Sequence, residues 1–162
     1  MKVEDVMTQN PVTIQAKDTI RTASSIIREN KIGGLPVMDG ENLIGMITES
    51  DILALLETKE PSEDLWLPSP LEVIEIPIRE FFNWERTKEA LSHIGSRSVS
   101  SQMSYPIITV DADDSIEEAA RIMLREGIAR LPVLRDGKLV GIVTRADIIE
   151  GIGRKKEEAD AD

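Results

Sequence analysis

Residues 45–51 read GMITESD, and residues 141–147, which lie 96 positions further along the chain, read GIVTRAD. Each stretch has a glycine, an apolar pair, a threonine and an aspartate three residues after that threonine. Apolar residues next to a glycine indicate the end of a buried strand, and a threonine at such a point is typical of a helix start. The two stretches therefore predict the same strand-to-helix corner twice, with Glu49 in the first copy and Arg145 in the second.

The rest of the chain aligns on itself at the same offset, without a gap over about 50 residues. The LPV sequence at 35–37 meets LPV at 131–133, and Gly45 meets Gly141. Further identical pairs are Val3 and Val99, Met7 and Met103, Thr13 and Thr109, Asp18 and Asp114, Ile20 and Ile116, and Ala23 and Ala119. An ungapped match of this length predicts two copies of one folding unit.

Both copies have the same order of predicted elements. A short extended piece at 12–14 or 108–110 precedes a helix, for which Asp18-Thr19 and Asp114-Ser115 are plausible N-caps. Two apolar runs follow, separated by the hairpin signals Asp39-Gly40 and Asp136-Gly137. A second helix begins after the threonine. The sequence thus predicts a mixed α/β (α+β) fold of two β-α-β-β-α repeats, which pack as a pair because each is too small to bury its own sheet.

The predicted boundaries divide the chain into repeat 1 at 1–57, a connector at 58–98, repeat 2 at 99–152 and a charged tail at 153–162. The connector is rich in proline at first and has helical periodicity over 78–94. It holds four of the five aromatic residues: Trp66, Phe81, Phe82 and Trp84. These can anchor the connector to the core, or they can form a lid or partner-binding surface. The tail has no apolar periodicity and is predicted to be disordered.

Composition limits the possible partners. The net charge of −11, from 19 Lys and Arg against 30 Asp and Glu, opposes binding to phosphate backbones, so we expect no nucleic-acid partner. The chain has no apolar run of the roughly 18 residues that a membrane span needs. It also has no cysteine, and MKVEDVM at the N-terminus lacks the apolar segment of a secretory signal. These features predict a cytoplasmic protein without a membrane partner.

The threonine–aspartate pair in each corner has two interpretations. A helix N-terminus favours an anion, and an ionised Asp51 can accept hydrogen bonds from two neighbouring hydroxyls, as in a nucleotide ribose. Alternatively, Thr48 and Asp51 form a capping box, which is a common helix start. Recurrence of the pair as Thr144 and Asp147, again beside an LPV strand, favours nucleotide binding.

Taken together, these pieces resemble a tandem pair of CBS domains, also called a Bateman module. They are the V-x-x-x-M stretch, the LPV strand, the D-G turn and the G-h-h-T-x-x-D corner, where h is apolar, and both halves contain them. The resemblance covers roughly 1–57 and 97–152, and the connector also resembles that of stand-alone archaeal-type CBS proteins. It implies a pseudo-two-fold pair of repeats with two clefts for AMP, ADP, ATP, S-adenosylmethionine or methylthioadenosine, no required cofactor, and a homodimer.

The resemblance also implies site residues for a first cleft, around Thr48 and Asp51, and a second cleft, around Thr144 and Asp147. The aspartates would bind the ribose hydroxyls, and the threonines would face the ribose or the first phosphate. Which repeat supplies which wall of each cleft is open at this point. The remaining expected contacts, mainly to adenine, are Val12, Thr13, Gly33, Met46, Ile108, Thr109, Ala129 and Ile142.

Differences between the copies predict unequal clefts. Arg130 and Arg145 would both approach a phosphate in the second cleft, because the planar guanidinium suits that contact. The first copy has Gly34 and Glu49 at the same positions. We therefore expect the second cleft to prefer a phosphorylated ligand, and the first to accept a neutral or cationic adenosine derivative or to stay empty. The alternative is that these charged residues are solvated surface.

No catalytic residue or metal site is predicted. The single histidine, His93, lies in the connector without a counterpart in the repeat, and we expect it at an exposed helix end. The predicted function is a non-enzymatic adenosine-ligand sensor that acts on an unidentified protein effector. Two alternatives stay open: an interaction module with vestigial clefts, and a metal-dependent nucleotide hydrolase that uses Asp51 or Asp147.

Overall fold

The structure, a computed structural model, describes residues 1–56 and 84–159. The strands are β1 (Thr8–Gln9), β2 (Ile14–Gln15), β3 (Gly34–Asp39), β4 (Asn42–Thr48), β5 (Val110–Asp111), β6 (Arg130–Arg135) and β7 (Lys138–Thr144). The α-helices are α1 (Ile20–Asn30), α2 (Glu49–Ala54), α3 (Trp84–Ser96), α4 (Ile116–Glu126) and α5 (Arg145–Ala159). Short 3₁₀ turns at Val3–Asp5 and Val99–Ser101 open the two repeats.

Both repeats have the predicted β-α-β-β-α order, and the predicted mixed α/β fold of two paired repeats is confirmed. The predicted caps are present, since the side chains of Thr19 and Ser115 accept hydrogen bonds from backbone N–H groups in the first turns of α1 and α4. The hairpins β3–β4 and β6–β7 turn at Gly40 and Gly137, whose positive φ angles of 61° and 74° suit glycine. Local chemistry therefore accounts for where each element begins and ends.

The strands form a three-stranded sheet of order β2-β3-β4 and a four-stranded sheet of order β1-β7-β6-β5. In each sheet the hairpin is antiparallel and the strand before the helix pairs parallel to it. That leading strand begins later than predicted, at Ile14 and Val110, where pairing with Val37 and Val133 starts. The residues directly before it stay outside the sheets, and two of them, Val12 and Ile108, line the clefts described below.

The opening segment of each repeat packs on the other repeat. Val3 is fully buried in the core beneath the second sheet, with Leu131 and Val133, whereas Val99 is fully buried in the core beneath the first sheet. In the same crossed manner, β1 pairs antiparallel with β7, and Ser104 exchanges two backbone hydrogen bonds with Met46 of β4. Each core is therefore completed by an apolar residue from the other repeat.

Much of the connector lies outside the described residues, including the predicted aromatic anchors Trp66, Phe81 and Phe82 and the first part of the predicted helix at 78–94. Helix α3 packs against α1, and Ile94 contacts the first core. His93 lies in the last turn of α3 and is exposed, as predicted. In the part of the chain that the structure describes, no helix is both long and apolar enough to cross a membrane.

The C-terminal segment differs from its prediction. The sequence predicted disorder from residue 153, but α5 continues to Ala159, and only residues 160–162 lie outside the described part. Arg154 forms an ion pair with Glu150 one helical turn earlier, a spacing that stabilises helices. Glutamate, lysine and alanine, which are frequent in this segment, have high helix propensity.

Candidate functional site

Two clefts of similar size, about 300 and 310 Å³, lie where the repeats meet. The first cleft combines Thr48 from repeat 1 with Ile108 from repeat 2. The second combines Thr144 from repeat 2 with Val12 from repeat 1. Each cleft thus takes its strand-to-helix corner from one repeat and the opposite wall from the other. This crossed arrangement answers the question that the sequence left open.

Most lining residues of the two clefts occupy equivalent positions in the two repeats. Ten pairs of lining residues are equivalent at the 96-residue offset. In eight of them the residue of repeat 1 lines the second cleft: Thr8 and Ser104, Asn10 and Pro106, Pro11 and Ile107, Val12 and Ile108, Lys31 and Gly127, Ile32 and Ile128, Gly33 and Ala129, and Gly34 and Arg130. In the other two, Met46 and Ile142, and Thr48 and Thr144, the residue of repeat 1 lines the first cleft. The clefts are therefore related by the same internal symmetry as the repeats.

The structure brings most of the predicted site residues to the clefts. The first is lined by Gly33, Met46, Thr48, Ile108, Ala129 and Arg130, and the second by Val12, Gly33, Arg130, Ile142, Thr144 and Asp147. Among the described residues, Thr13, Asp51, Thr109 and Arg145 do not line either cleft. The sequence reasoning missed Ser104 and Thr8, although both directly follow the repeated V-x-x-x-M stretch in register with each other.

Both corners form capping boxes. The Thr48 backbone N–H and hydroxyl donate to Asp51 Oδ2 at 2.8 and 2.9 Å, and the Asp51 N–H donates to Thr48 Oγ1 at 3.3 Å. Thr144 and Asp147 repeat this geometry at 2.7, 2.8 and 3.3 Å. The cap engages only one oxygen of each carboxylate. The capping interpretation is thus correct as far as Oδ2 is concerned, and Oδ1 is left for another partner.

The two aspartates differ at that second oxygen. Asp51 Oδ1 accepts a hydrogen bond from the Ser104 hydroxyl at 3.1 Å. Among the residues that the structure describes, Thr8 makes no matching bond, and Asp147 Oδ1 has no hydrogen-bond partner. Asp147 is half-buried and lines the second cleft. The second cleft therefore contains an open carboxylate oxygen, whereas the corresponding oxygen in the first repeat is already occupied.

The two arginines predicted to act together differ in burial and in whether they line a cleft. Arg130, the first residue of β6, is half-buried and lines both clefts, and its Nη1 donates to the Gly33 carbonyl. Burial lowers the pKa of the Arg130 guanidinium, and the nearby carboxylate of Glu49 partly opposes that effect. Arg145 is exposed at the start of α5. Only Arg130 is placed to contact a ligand in either cleft.

The second cleft offers groups suited to a compound with an apolar ring, hydroxyls and an anionic group. Val12 and Ile142 supply apolar surface, and Asp147 supplies an acceptor for hydroxyls. Arg130 adds a cation. Within residues 1–56 and 84–159, no group of three or more histidine, aspartate or glutamate side chains is arranged to hold a metal ion.

Comparison with known proteins identifies the family. The CBS domain matches residues 3–58 and again residues 97–154. Protein MJ1426 of Methanocaldococcus jannaschii is 36% identical over 154 residues, which cover 94% of this chain and 91% of that protein. Protein MJ1404 of the same organism is also 36% identical, over 159 residues, but the chain spans only 33% of its length. The crystal structure of CBSX2 in complex with AMP matches with a TM-score of 0.67 and 28% identity, over 96% of this chain and 98% of that one. The chain therefore belongs to the CBS domain family and carries two copies of that domain.

Proposed function

We propose that this protein is a regulatory module that binds an adenosine ligand in its clefts and passes the occupancy to a protein effector. The observation that carries the proposal is the open Oδ1 of Asp147 in a cleft with apolar surface from the other repeat. A carboxylate oxygen accepts hydrogen bonds from ribose hydroxyls, while Val12 and Ile142 offer contacts to adenine. The match to CBSX2, which was solved with AMP, supports this ligand class.

The crossed clefts suggest how occupancy is converted into a signal. A ligand in either cleft contacts both repeats, because the corner and the opposite wall come from different copies. Such a ligand binds best to one relative arrangement of the repeats and increases the population of that arrangement. An effector that prefers one arrangement then responds to the ligand concentration.

The test is thermal unfolding with AMP, ADP, ATP, S-adenosylmethionine and methylthioadenosine, with GMP as the control. A ligand present at 100 times its Kd stabilises the fold by about 2.7 kcal/mol, which raises Tm by about 5–10 °C in a chain of this size. If no adenosine compound raises Tm, the corners serve only as helix caps, and an interaction module with vestigial clefts is the better interpretation. Conversion of ATP in the presence of magnesium, measured by chromatography, would instead favour the hydrolase.

Removing the Ser104 hydroxyl should strengthen binding in the first cleft. Ser104 lines the first cleft, whereas Asp51 lies behind it. In Ser104→Ala the Oδ1 of Asp51 loses its protein partner, and the space that the hydroxyl leaves in the cleft wall gives a ligand hydroxyl access to this oxygen. In the wild type, a ligand hydroxyl must displace the hydrogen bond from Ser104 before it can bind to this oxygen. Without that competing bond, we expect the Kd for adenosine to be about fivefold lower. Calorimetry on Ser104→Ala and on the equivalent Thr8→Ala in the second repeat measures this. A gain of the same size in both variants would contradict the assignment, because Thr8 makes no bond to Asp147 among the described residues.

We also propose that two copies associate through α2 and α5. These helices expose large apolar side chains at equivalent positions: Leu53 is 60% exposed and Ile149 is 70% exposed. Leu56 and Ile152, one turn further along, are exposed in the same way. A surface repeated by the internal symmetry suits a two-fold contact with a second copy, and burying it removes apolar area from water.

An aspartate at this surface should separate the copies. In Ile149→Asp the charge would lie in an apolar contact, and we expect the dimer dissociation constant to rise at least about tenfold. Sedimentation velocity over a concentration series measures the change. Leu124→Asp is the matched control, because Leu124 is 76% exposed on α4, outside the proposed contact. A wild-type protein that stays monomeric at high concentration, or an unchanged Ile149→Asp dimer, would refute the proposal.

A further inference from the structure

A single arginine side chain lies in the wall between the two clefts. Arg130 lines both of them, and so does Gly33, whose carbonyl accepts a hydrogen bond from the guanidinium. A Cβ atom on Gly33 would overlap the guanidinium, and one on Gly34 would lie 2.7 Å from Nη1. The two glycines therefore leave the space that the arginine head occupies.

At this point the internal symmetry is broken. Arg130 stands at the position that Gly34 holds in the first repeat, and both residues open the strand that leads into the LPV sequence. At most other lining positions, each cleft has its own residue from the equivalent pair. Arg130, in contrast, lines both clefts with one side chain. A second arginine at Gly34 would meet the first guanidinium, since the Cβ is already within 2.7 Å of it. The geometry leaves room for one arginine head at the junction.

The guanidinium has unused hydrogen-bonding capacity. It carries five N–H donors, and Nη1 donates to the Gly33 carbonyl, while Nε and Nη2 have no hydrogen-bond partner among the described residues. Glu49 acts on it electrostatically but does not form an ion pair with it in the described part of the chain. A half-buried cation with so few partners favours an anion, and both clefts give access to it.

We propose that Arg130 is one phosphate-binding group shared by the two clefts, so that two phosphorylated ligands compete for it. This inference rests on the proposed binding of adenosine ligands. When a phosphate in one cleft engages the guanidinium, a ligand in the other cleft binds without an arginine. Two phosphorylated ligands therefore bind with negative coupling, and the coupling is reciprocal. Unphosphorylated ligands do not compete for the guanidinium, so one phosphorylated and one unphosphorylated compound is the favoured pair.

The first experiment asks whether Arg130 serves both clefts. Calorimetry with AMP and with adenosine is done on Asp147→Ala, which leaves the first cleft, and on Ile108→Trp, which fills the first cleft and leaves the second. We expect AMP to bind about tenfold or more tightly than adenosine in both backgrounds, and we expect Arg130→Ala to remove that preference in both. Arg130→Lys should restore part of it, because lysine keeps the charge without the planar fork. Arg121→Ala, an exposed arginine on α4, is the matched control and should change nothing.

The second experiment asks whether the clefts compete. The wild type should bind AMP in two steps. The Kd of the weaker step is compared with the Kd for AMP of Asp147→Ala, in which only the first cleft binds. We expect the wild-type step to be at least about fivefold weaker, and this weakening to vanish in the Arg130→Ala background. Adenosine should show no such weakening, because it has no phosphate to compete for the guanidinium.

The failures of the two proposals are distinguishable. If adenosine and AMP bind neither to the wild type nor to any of these variants, the proposed function fails and this inference fails with it. If adenosine binds but Arg130 favours AMP in one cleft only, the shared role is wrong while the proposed function stands. The same conclusion follows if the Kd of the weaker AMP-binding step in the wild type equals the Kd of the first cleft in Asp147→Ala.

Discussion

Replacing Asp147 by alanine should remove most of the stabilisation that AMP gives to this protein. Asp147 lines the second cleft, and its Oδ1 has no hydrogen-bond partner in the described structure, so ribose hydroxyls can donate to this carboxylate. Hydrogen bonds to a charged group contribute about 1.5–3 kcal/mol each, and we expect about a hundredfold loss of affinity. At an AMP concentration that stabilises the wild type by about 2.7 kcal/mol, Asp147→Ala should then gain only about 0.4 kcal/mol. Thermal or chemical unfolding with and without AMP measures both values.

Asp51→Ala is the matched control for that experiment. Asp51 and Asp147 form the same capping box with their threonines, so each substitution should lower the free energy of unfolding without ligand by about 1 kcal/mol. Without AMP, Asp51→Ala should lose about 1 kcal/mol more than Asp147→Ala, because it also loses the hydrogen bond from Ser104. With AMP, only Asp147→Ala should lose most of the stabilisation by the ligand, because Ser104 already occupies the Oδ1 of Asp51. Most of the AMP effect should survive in Asp51→Ala. An equal loss in both variants would mean that the carboxylates act through the helix caps and not through a ligand.

Val3→Ala should destabilise the second repeat, although Val3 belongs to the first in sequence. Its side chain is fully buried in the core with Leu131 and Val133, and removing two methyl groups leaves a cavity there. We expect a loss of about 2 kcal/mol in the free energy of unfolding. Hydrogen exchange should show the largest loss of protection in β6 and β7, which form the sheet over this core.

Val99→Ala provides the reciprocal measurement. Val99 is fully buried in the core with Leu35 and Val37, so its truncation should lower protection in β3 and β4 instead. Leu124→Ala, at a position that is 76% exposed, should leave both sheets unchanged. Loss of protection in the same strands for Val3→Ala and Val99→Ala would contradict the crossed packing of the opening segments.

Much of the architecture follows from short-range information in the sequence. The helix starts at Thr19 and Ser115 were predictable because a capping side chain bonds to a backbone N–H within the next turn. The hairpins were predictable because Asp-Gly pairs favour tight turns. The internal repeat then implied that the secondary-structure elements of the first copy recur in the second. The resemblance to a CBS pair is confirmed by the family match over both copies. The C-terminal part of α5 was missed because charged residues without an apolar stripe do not reveal a helix.

The candidate site was only partly predictable. The threonines and aspartates of the corners stood out because their spacing within one helical turn is itself the signal. The sequence could not distinguish the roles of Arg130 and Arg145, because the two carry the same charge and each lies next to a predicted strand of the second copy. Arg130 directly precedes the LPV sequence, and Arg145 directly follows Thr144. The structure places Arg130 at both clefts and leaves Arg145 exposed at the start of α5. Ser104 was missed because its partner, Asp51, lies 53 residues away in the sequence.

The sequence by itself determined the repeat, the order of the elements and the two capped corners, because each depends on residues within a few positions of one another. Only the tertiary structure decided which repeat supplies each wall of a cleft, which aspartate keeps an oxygen without a partner, and that Arg130 lies between the two clefts. Those features depend on contacts such as Arg130 with Gly33, across 97 residues. A sequence that repeats itself specifies the same local structure twice, and it does not state how the copies cross. The packing of one copy against the other settles that, because neither sheet buries its core without a residue from the other repeat.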